Sequence, residues 1–227
     1  MTHRTTHRTT HRTTHRTTHR MTSSFAALAA ISLALAGCSV FDRTSPSTEQ
    51  FMLVPQPVRA HEGASLGSVV VRRVLVQRPY DTRSFVYHTT NGQWRVDAYN
   101  GFLADPSDMI GDAMSRALEG SRRFSLVTSA VVAVPTDLAA EVVVESFHSD
   151  YTDPSKPVAV VRMRTYLLER GKGSVVRTVL EGSATQAIAS TSPGAVAEAL
   201  SVAVAKAIDE IVSQLPKNAP VAAAAEG

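Results

Sequence analysis

The sequence predicts an α+β domain in which a largely antiparallel sheet packs against two main helices. Valine-rich and alternating segments, which suit pleated strands, fill two separate blocks of the chain. An amphipathic segment follows each block, and each of these segments opens with a proline directly after a capping residue. Strands and helices that occur in blocks, rather than in strict alternation, favour the α+β class.

The first block predicts two simple strands and a hairpin. A short apolar run covers residues 50–54, and a valine-rich run covers residues 66–77. The dipeptide Asn91-Gly92 then separates two strand-like segments, 84–90 and 93–99. Both residues of this dipeptide accept positive φ, so the pattern indicates a two-residue type I′ turn.

The predicted turn fixes which side chains of the hairpin share a face. A two-residue loop places Thr89 opposite Trp94. Because side chains alternate along a strand, this register determines which side chains lie on each face of the hairpin. One face would carry the larger apolar set, which we expect to be core: Phe85, Tyr87, Trp94 and Val96. The other face would carry the mostly polar set: Val86, His88, Arg95 and Asp97.

Each predicted helix has a clear start. Asp105 can cap the first helix, Pro106 suits its first turn, and Gly120 ends it. The second helix begins at Ser192-Pro193 and extends to about Leu215, with apolar residues three and four positions apart. The second block lies between the helices and predicts four strands, over residues 124–127, 138–148, 158–168 and 174–188. A loop at Gly171-Lys172-Gly173 precedes the last of them.

The N-terminal region predicts a cleaved and lipidated leader. Thirteen mostly apolar residues, 25–37, precede Cys38, which is the only cysteine of the chain. The run Leu35-Ala36-Gly37-Cys38 resembles a bacterial lipobox, which implies a signal peptide over residues 1–37 and acylation of Cys38, palmitate included. The apolar run is shorter than the roughly 20 residues that span a bilayer. An ordinary secretory signal or a short buried helix is the alternative, and either Met1 or Met21 can be the start.

Loss of the leader would change the charge of the chain. Residues 1–37 hold five basic residues and no acidic one, so the mature chain would carry 18 basic and 20 acidic residues. That balance argues against nucleic acid as a partner. We expect residues 38–48 to form a flexible tether, residues 49–215 to form one domain, and residues 216–227 to form a loose tail.

Three stretches of the chain carry a family resemblance. Residues 84–88, residues 96–103 together with the Pro106 helix, and residues 147–151 with 159–161 resemble the ABC-type transport auxiliary lipoproteins. The resemblance covers most of residues 49–215. It implies a non-catalytic subunit of a lipid transporter of the MCE type, as in the Pqi system, with an MCE-domain protein and an ABC permease and ATPase as partners.

The resemblance implies a place in the cell envelope and transfers no active site. Ser39 after the acylated cysteine points, by resemblance, to an outer-membrane anchor that faces the periplasm. We expect no catalytic residue, no cofactor and no metal site. Homo-oligomerisation stays open, and a structural lipoprotein of outer-membrane assembly is the alternative function.

Five side chains are the remaining candidates for a site. Arg162, Arg164 and Tyr166 alternate on one strand face, where they can contact phospholipid headgroups or an acidic partner, or simply face solvent. His148 and Asp150 have the i, i+2 spacing of some metal ligands, but they precede a predicted turn. A periplasmic enzyme that uses these two residues is the third, least favoured function.

Overall fold

The computed structural model describes residues 47–57, 59–170 and 175–217 of the chain. Within these ranges the α+β class is confirmed, with one sheet and two helices. The helices are α1 (Pro106–Gly120) and α2 (Pro193–Ser213). The eight strands are, in chain order, β1 (Glu49–Phe51), β2 (Ser68–Val76), β3 (Ser84–Thr89), β4 (Trp94–Phe102), β5 (Leu126–Ser129), β6 (Leu138–Tyr151), β7 (Val158–Glu169) and β8 (Val175–Ala187).

Strand β6 organises the sheet. It pairs antiparallel with β7 along its whole length, and β7 pairs antiparallel with β8. The opposite edge of β6 is shared by β2 and β3, which both run parallel to it. The sheet is therefore largely antiparallel by length, because its two longest ladders are antiparallel, while the shorter β1–β4, β2–β5, β2–β6 and β3–β6 pairings are parallel.

Both helices cover the same face of this sheet. Their buried residues join one core with inward side chains of the long strands, such as Val144 of β6 and Met163 of β7. Helix α2 approaches β8 so closely that a Cβ on Gly182 would overlap the carbonyl oxygen of Ala207. Glycine at this position lets the helix backbone lie directly on the strand.

The two helix starts are confirmed, but they are capped differently. The Ser192 hydroxyl accepts a hydrogen bond from Ala195 N at 3.3 Å, as expected of an N-cap. Asp105 occupies the N-cap position of α1 without a capping hydrogen bond. Its carboxylate instead accepts from Arg83 Nε at 2.6 Å, so the capping role predicted for the Asp105 side chain is wrong.

The predicted hairpin register is wrong by one residue. His88 lies opposite Trp94 and Val86 lies opposite Val96. Gly92 N donates to Thr89 O at 2.9 Å and Gly92 has a φ of 68°, while the φ of Asn91 is not positive. These features define a three-residue loop, a type I turn followed by a left-handed glycine. Trp94 and Val96 therefore share a face with His88, and both are exposed.

A buried arginine, Arg123, connects three segments of the chain. Arg123 is 2% exposed, and its guanidinium donates to the carbonyl oxygens of Ala64, Pro216 and Lys217. Five N–H groups in a fixed fork allow one side chain to satisfy several acceptors at once. Arg123 thereby connects the chain before β2 to the residues that follow α2.

No helix in the described ranges is long and apolar enough to cross a membrane.

Candidate interaction surface

One face of the sheet carries no helix within the described residues, and we call it the open face. It is formed by the side chains of β6 and β7 that point away from the core, and the register extends it onto their neighbours. The burial pattern of β7 separates the two sides, because Val161, Met163 and Leu167 are buried while Arg162 is exposed.

The three contact residues expected from the sequence all lie on the open face. Arg164 is already paired, with Glu145 Oε1 at 3.3 Å and Glu181 Oε1 at 3.0 Å. Arg162 is exposed and forms no ion pair with any described residue. Tyr166 is half-buried beside Arg164 on the same face. Arg162 is therefore the more available of the two cations.

One end of the open face is apolar. The register aligns Val70, Ala139, Leu168 and Val176 in a single row across four strands. Val70, Ala139 and Leu168 are themselves buried, whereas Val176 is half exposed. The loop between β5 and β6 adds two exposed valines beside Val70, Val132 and Val134. Exposed apolar side chains that cluster at one place are typical of contact regions in proteins.

The other end of the open face is a cluster of aromatic and histidine rings, which we call the histidine cluster: Tyr80, His88, Trp94, His148 and Asp150. The His88 ring stacks on Trp94 with centroids 4.5 Å apart. The His148 ring stacks on Tyr80 at 5.3 Å and meets Trp94 edge-on at 4.8 Å. His88 Nδ1 lies 3.5 Å from Asp150 Oδ2. Strands β3, β4 and β6 supply four of these five groups, and the segment between β2 and β3 supplies Tyr80.

His148 has the most unusual environment in the cluster. The residue is 7% exposed, and its Nδ1 has no hydrogen-bond partner in the part of the chain that the structure describes. Burial lowers the pKa of His148 to about 4, against the opposing effect of the Asp150 carboxylate. Burial alone would raise the pKa of Asp150, but hydrogen bonds from Thr152 and the nearby His88 hold that pKa below its usual range. At neutral pH the cluster therefore contains a neutral His148 and an ionised Asp150.

Sequence reasoning treats the members of the histidine cluster separately. It places His88 and Trp94 on opposite faces because of the register error, and it places His148 and Asp150 at a strand end before a turn. The i, i+2 spacing of His148 and Asp150 is the one local signal. Their approach to His88 requires the parallel pairing of β3 with β6, which joins residues 62 positions apart.

The remaining sequence-based expectations concern residues outside the described ranges. They are the signal at residues 1–37, lipidation of Cys38, the tether up to residue 46, the Gly171-Lys172-Gly173 loop and the tail beyond Lys217.

Comparison with known proteins identifies the family. Residues 51–212 match the model of the ABC-type transport auxiliary lipoprotein component. The chain belongs to this family. The match spans both helices except Ser213, the last residue of α2, and all but the first two residues of the sheet. Membership makes the protein an auxiliary lipoprotein component of an ABC-type transport system.

Two solved structures share the fold. Protein XCC0632 from Xanthomonas campestris superposes with a TM-score of 0.61 and 21% identity, covering 74% of this chain and 92% of that one. An uncharacterized protein superposes with a TM-score of 0.55 and 13% identity, covering 71% of this chain and all of that one. No curated protein matches this chain significantly. At these identities the superpositions show a common fold and nothing finer.

Proposed function

We propose that this chain is a lipid-anchored periplasmic subunit that assists an MCE-type lipid transporter by contact with other proteins. The single observation that carries the proposal is the family match over residues 51–212. The proposed partners are an MCE-domain protein and an ABC permease and ATPase. The acylated Cys38 would hold the domain at the outer membrane, and the protein would carry out no covalent chemistry.

The open face supports a role in protein contact. At its apolar end the exposed valines, Val132, Val134 and Val176, offer area that a partner can remove from water, at roughly 25 cal/mol per Å². Arg162 lies on the same face with a charge that no described acidic residue neutralises. Exposed valines at one end of the face and an exposed arginine further along β7 suit a partner surface that is apolar with an acidic margin.

A tether explains how a domain of this size could act without strong intrinsic affinity. A segment of residues 38–48 can reach at most on the order of 35 Å when fully extended. Confinement to that distance from the membrane raises the effective concentration of the domain near a membrane-associated partner. Positioning by the anchor would thus supply part of the association free energy.

The test is the capture of partners from intact envelopes. Cells that produce the protein are treated with a membrane-permeable crosslinker, and the protein is then purified under denaturing conditions. We expect an MCE-domain protein, a permease or an ATPase of ABC type among the crosslinked products. Capture of an outer-membrane β-barrel instead, or of no transport component at all, would contradict the proposal.

A charge reversal on the open face tests the proposed surface. Arg162→Glu should reduce the yield of the crosslinked transport component severalfold. Arg116→Glu is the matched control, because Arg116 is an exposed arginine on α1, on the helical side of the sheet. Equal yields from the two variants would exclude Arg162 from the contact. That result would not contradict the proposed identity of the partner.

A further inference from the structure

We propose that His88, His148 and Asp150 form a binding site for one divalent transition-metal ion such as Zn²⁺. The three residues occupy neighbouring positions on the open face. His88 of β3 lies opposite Asp150 of β6 in the parallel ladder, and His148 is two residues before Asp150 on the same strand. The fold therefore places two imidazoles and one carboxylate side by side.

The spacing of the donor atoms fits an ion with little rearrangement. One nitrogen of each histidine and one oxygen of Asp150 all lie within 4.8 Å of one another. Zinc binds nitrogen and oxygen donors at about 2.0–2.2 Å, so donors in a tetrahedral site are roughly 3.4 Å apart. The His88 Nδ1 to Asp150 Oδ2 distance of 3.5 Å already has this spacing. A small rotation of the side chains would bring the third donor into range.

His148 gives a second and independent reason to expect a ligand. A buried nitrogen normally has a hydrogen-bond partner, since leaving it without one costs about 1–3 kcal/mol. His148 is 7% exposed, and its Nδ1 has no hydrogen-bond partner among residues 47–57, 59–170 and 175–217.

Neighbouring aromatic rings hold both histidines in place. Trp94 stacks on the His88 ring and meets the His148 ring edge-on, and Tyr80 stacks on the His148 ring. Rings that are fixed before the ion arrives reduce the entropy lost on coordination. The side chains of His88 and Asp150 are each 25% exposed, so an ion can enter from solvent.

The donor set selects the class of ion. Two imidazoles with one carboxylate suit Zn²⁺, Co²⁺ and neighbouring transition metals, whereas Ca²⁺ and Mg²⁺ prefer oxygen donors alone. Three protein ligands leave a fourth position for water or for a donor from a partner. Coordination would also tie β3 to β6, which otherwise share only a three-residue ladder.

The test uses the chain's own optical reporter. Trp94 is the only tryptophan, and its ring lies within 5 Å of both histidine rings. The protein is produced as the full chain, with five leader histidines replaced by alanine so that they bind no metal: His3, His7, His11, His15 and His19. After treatment with EDTA and dialysis, Zn²⁺ is titrated by calorimetry and Co²⁺ by absorption and fluorescence.

We expect one ion per chain, visible Co²⁺ bands typical of tetrahedral coordination, and quenching of Trp94 by Co²⁺. His88→Ala and His148→Ala should each weaken Zn²⁺ binding about tenfold or more, as even the loss of an outer-shell partner often does. His61→Ala is the matched control and should bind as the parent does, because His61 lies outside the cluster.

Two results would overturn the proposal. One is the absence of Zn²⁺ binding and of Trp94 quenching up to millimolar metal. The other is equal affinity in the parent and in the His88→Ala/His148→Ala double variant. Asp150→Asn keeps the size of the side chain and an oxygen that can accept from Thr152 N, so it should weaken binding while circular dichroism shows a folded domain. The Co²⁺ spectrum of the unsubstituted site decides the question even if a variant fails to fold.

Discussion

Gln214 hydrogen-bonds both backbone groups of Glu181, so a side-chain amide stands where a neighbouring strand would pair. Its Nε2 donates to Glu181 O at 2.6 Å, and its Oε1 accepts from Glu181 N at 3.3 Å. Two residues along β8, Glu210 Oε2 accepts from Ser183 N at 2.8 Å. Among the described strands β8 pairs only with β7, so these contacts occupy backbone groups of a sheet edge.

Replacement of Gln214 should expose this edge. Gln214→Ala frees the backbone groups of Glu181, and we expect self-association of the purified protein to increase, measured by sedimentation velocity over a range of concentrations. Ser213→Ala is the control, because Ser213 is an exposed neighbour whose hydroxyl bonds only within α2. Identical sedimentation of the two variants would mean that Gln214 does not prevent association through the edge of β8.

The contact between α2 and β8 leaves no room for a side chain at residue 182. Gly182→Ala should lower the free energy of unfolding by about 2–3 kcal/mol, since the new methyl group would push the helix backbone away from the strand. Gly111→Ala is the matched change, because its methyl group would meet only Val74 Cγ2, at 3.3 Å. That variant should stay within about 1 kcal/mol of the parent, helped by the higher helix propensity of alanine. Urea unfolding measures both, and similar losses in the two variants would contradict the packing argument.

Asn91 and Gly92 of the hairpin loop differ in backbone conformation, because only Gly92 has a positive φ. Gly92 has a φ of 68°, and a Cβ added there would meet no atom within 4 Å, so Gly92→Ala should cost about 1 kcal/mol from backbone strain alone. Asn91 has no positive φ, and Asn91→Ala should therefore be nearly neutral in urea unfolding. A type I′ turn would penalise both substitutions, so a clear loss in Asn91→Ala would restore the register expected from the sequence.

The buried His148 should make stability depend on pH above the range of the carboxylates. Its pKa of about 4 in the folded protein lies below the ordinary value of 6.5, so the unfolded chain binds more protons between those values. The free energy of unfolding should fall as the pH decreases from about 6.5 to 4. Asp97 and Asp150, whose pKa values are lowered, lose their stabilising contribution only at pH values below about 4.

Urea unfolding at a series of pH values, with EDTA present, measures this dependence. In His148→Gln the slope between pH 6.5 and 4 should become shallower, because the group that titrates differently in the two states is gone. An unchanged slope would refute the assignment. So would an NMR titration in which the His148 ring protonates near pH 6.5.

Local signals account for much of the fold. Pro106 and Pro193 mark the helix starts correctly, because the constraints of proline act within one turn. The dipeptide Asn91-Gly92 leads to the wrong loop type, because asparagine and glycine are compatible with a type I′ turn and also with the end of a three-residue loop. A one-residue difference in register then moves Trp94 to the opposite face of the hairpin.

The histidine cluster and the buried arginine depend on contacts that no local pattern encodes. His88 meets Asp150 only because two strands far apart in sequence pair in parallel. Arg123 directly follows an exposed arginine and has the same side chain, yet it is buried while Arg122 is exposed. Charged side chains are rarely buried, so composition alone predicts the reverse for Arg123.

The position of Arg123 bears on where this domain can safely be shortened. Two of its three carbonyl acceptors belong to Pro216 and Lys217, which follow the last turn of α2 and lie past the end of the family match. A chain cut directly after Ser213 would keep every helix and strand and would still leave a cationic group inside the protein with one acceptor. The minimal stable fragment therefore extends through Lys217, a boundary set by electrostatics rather than by secondary structure.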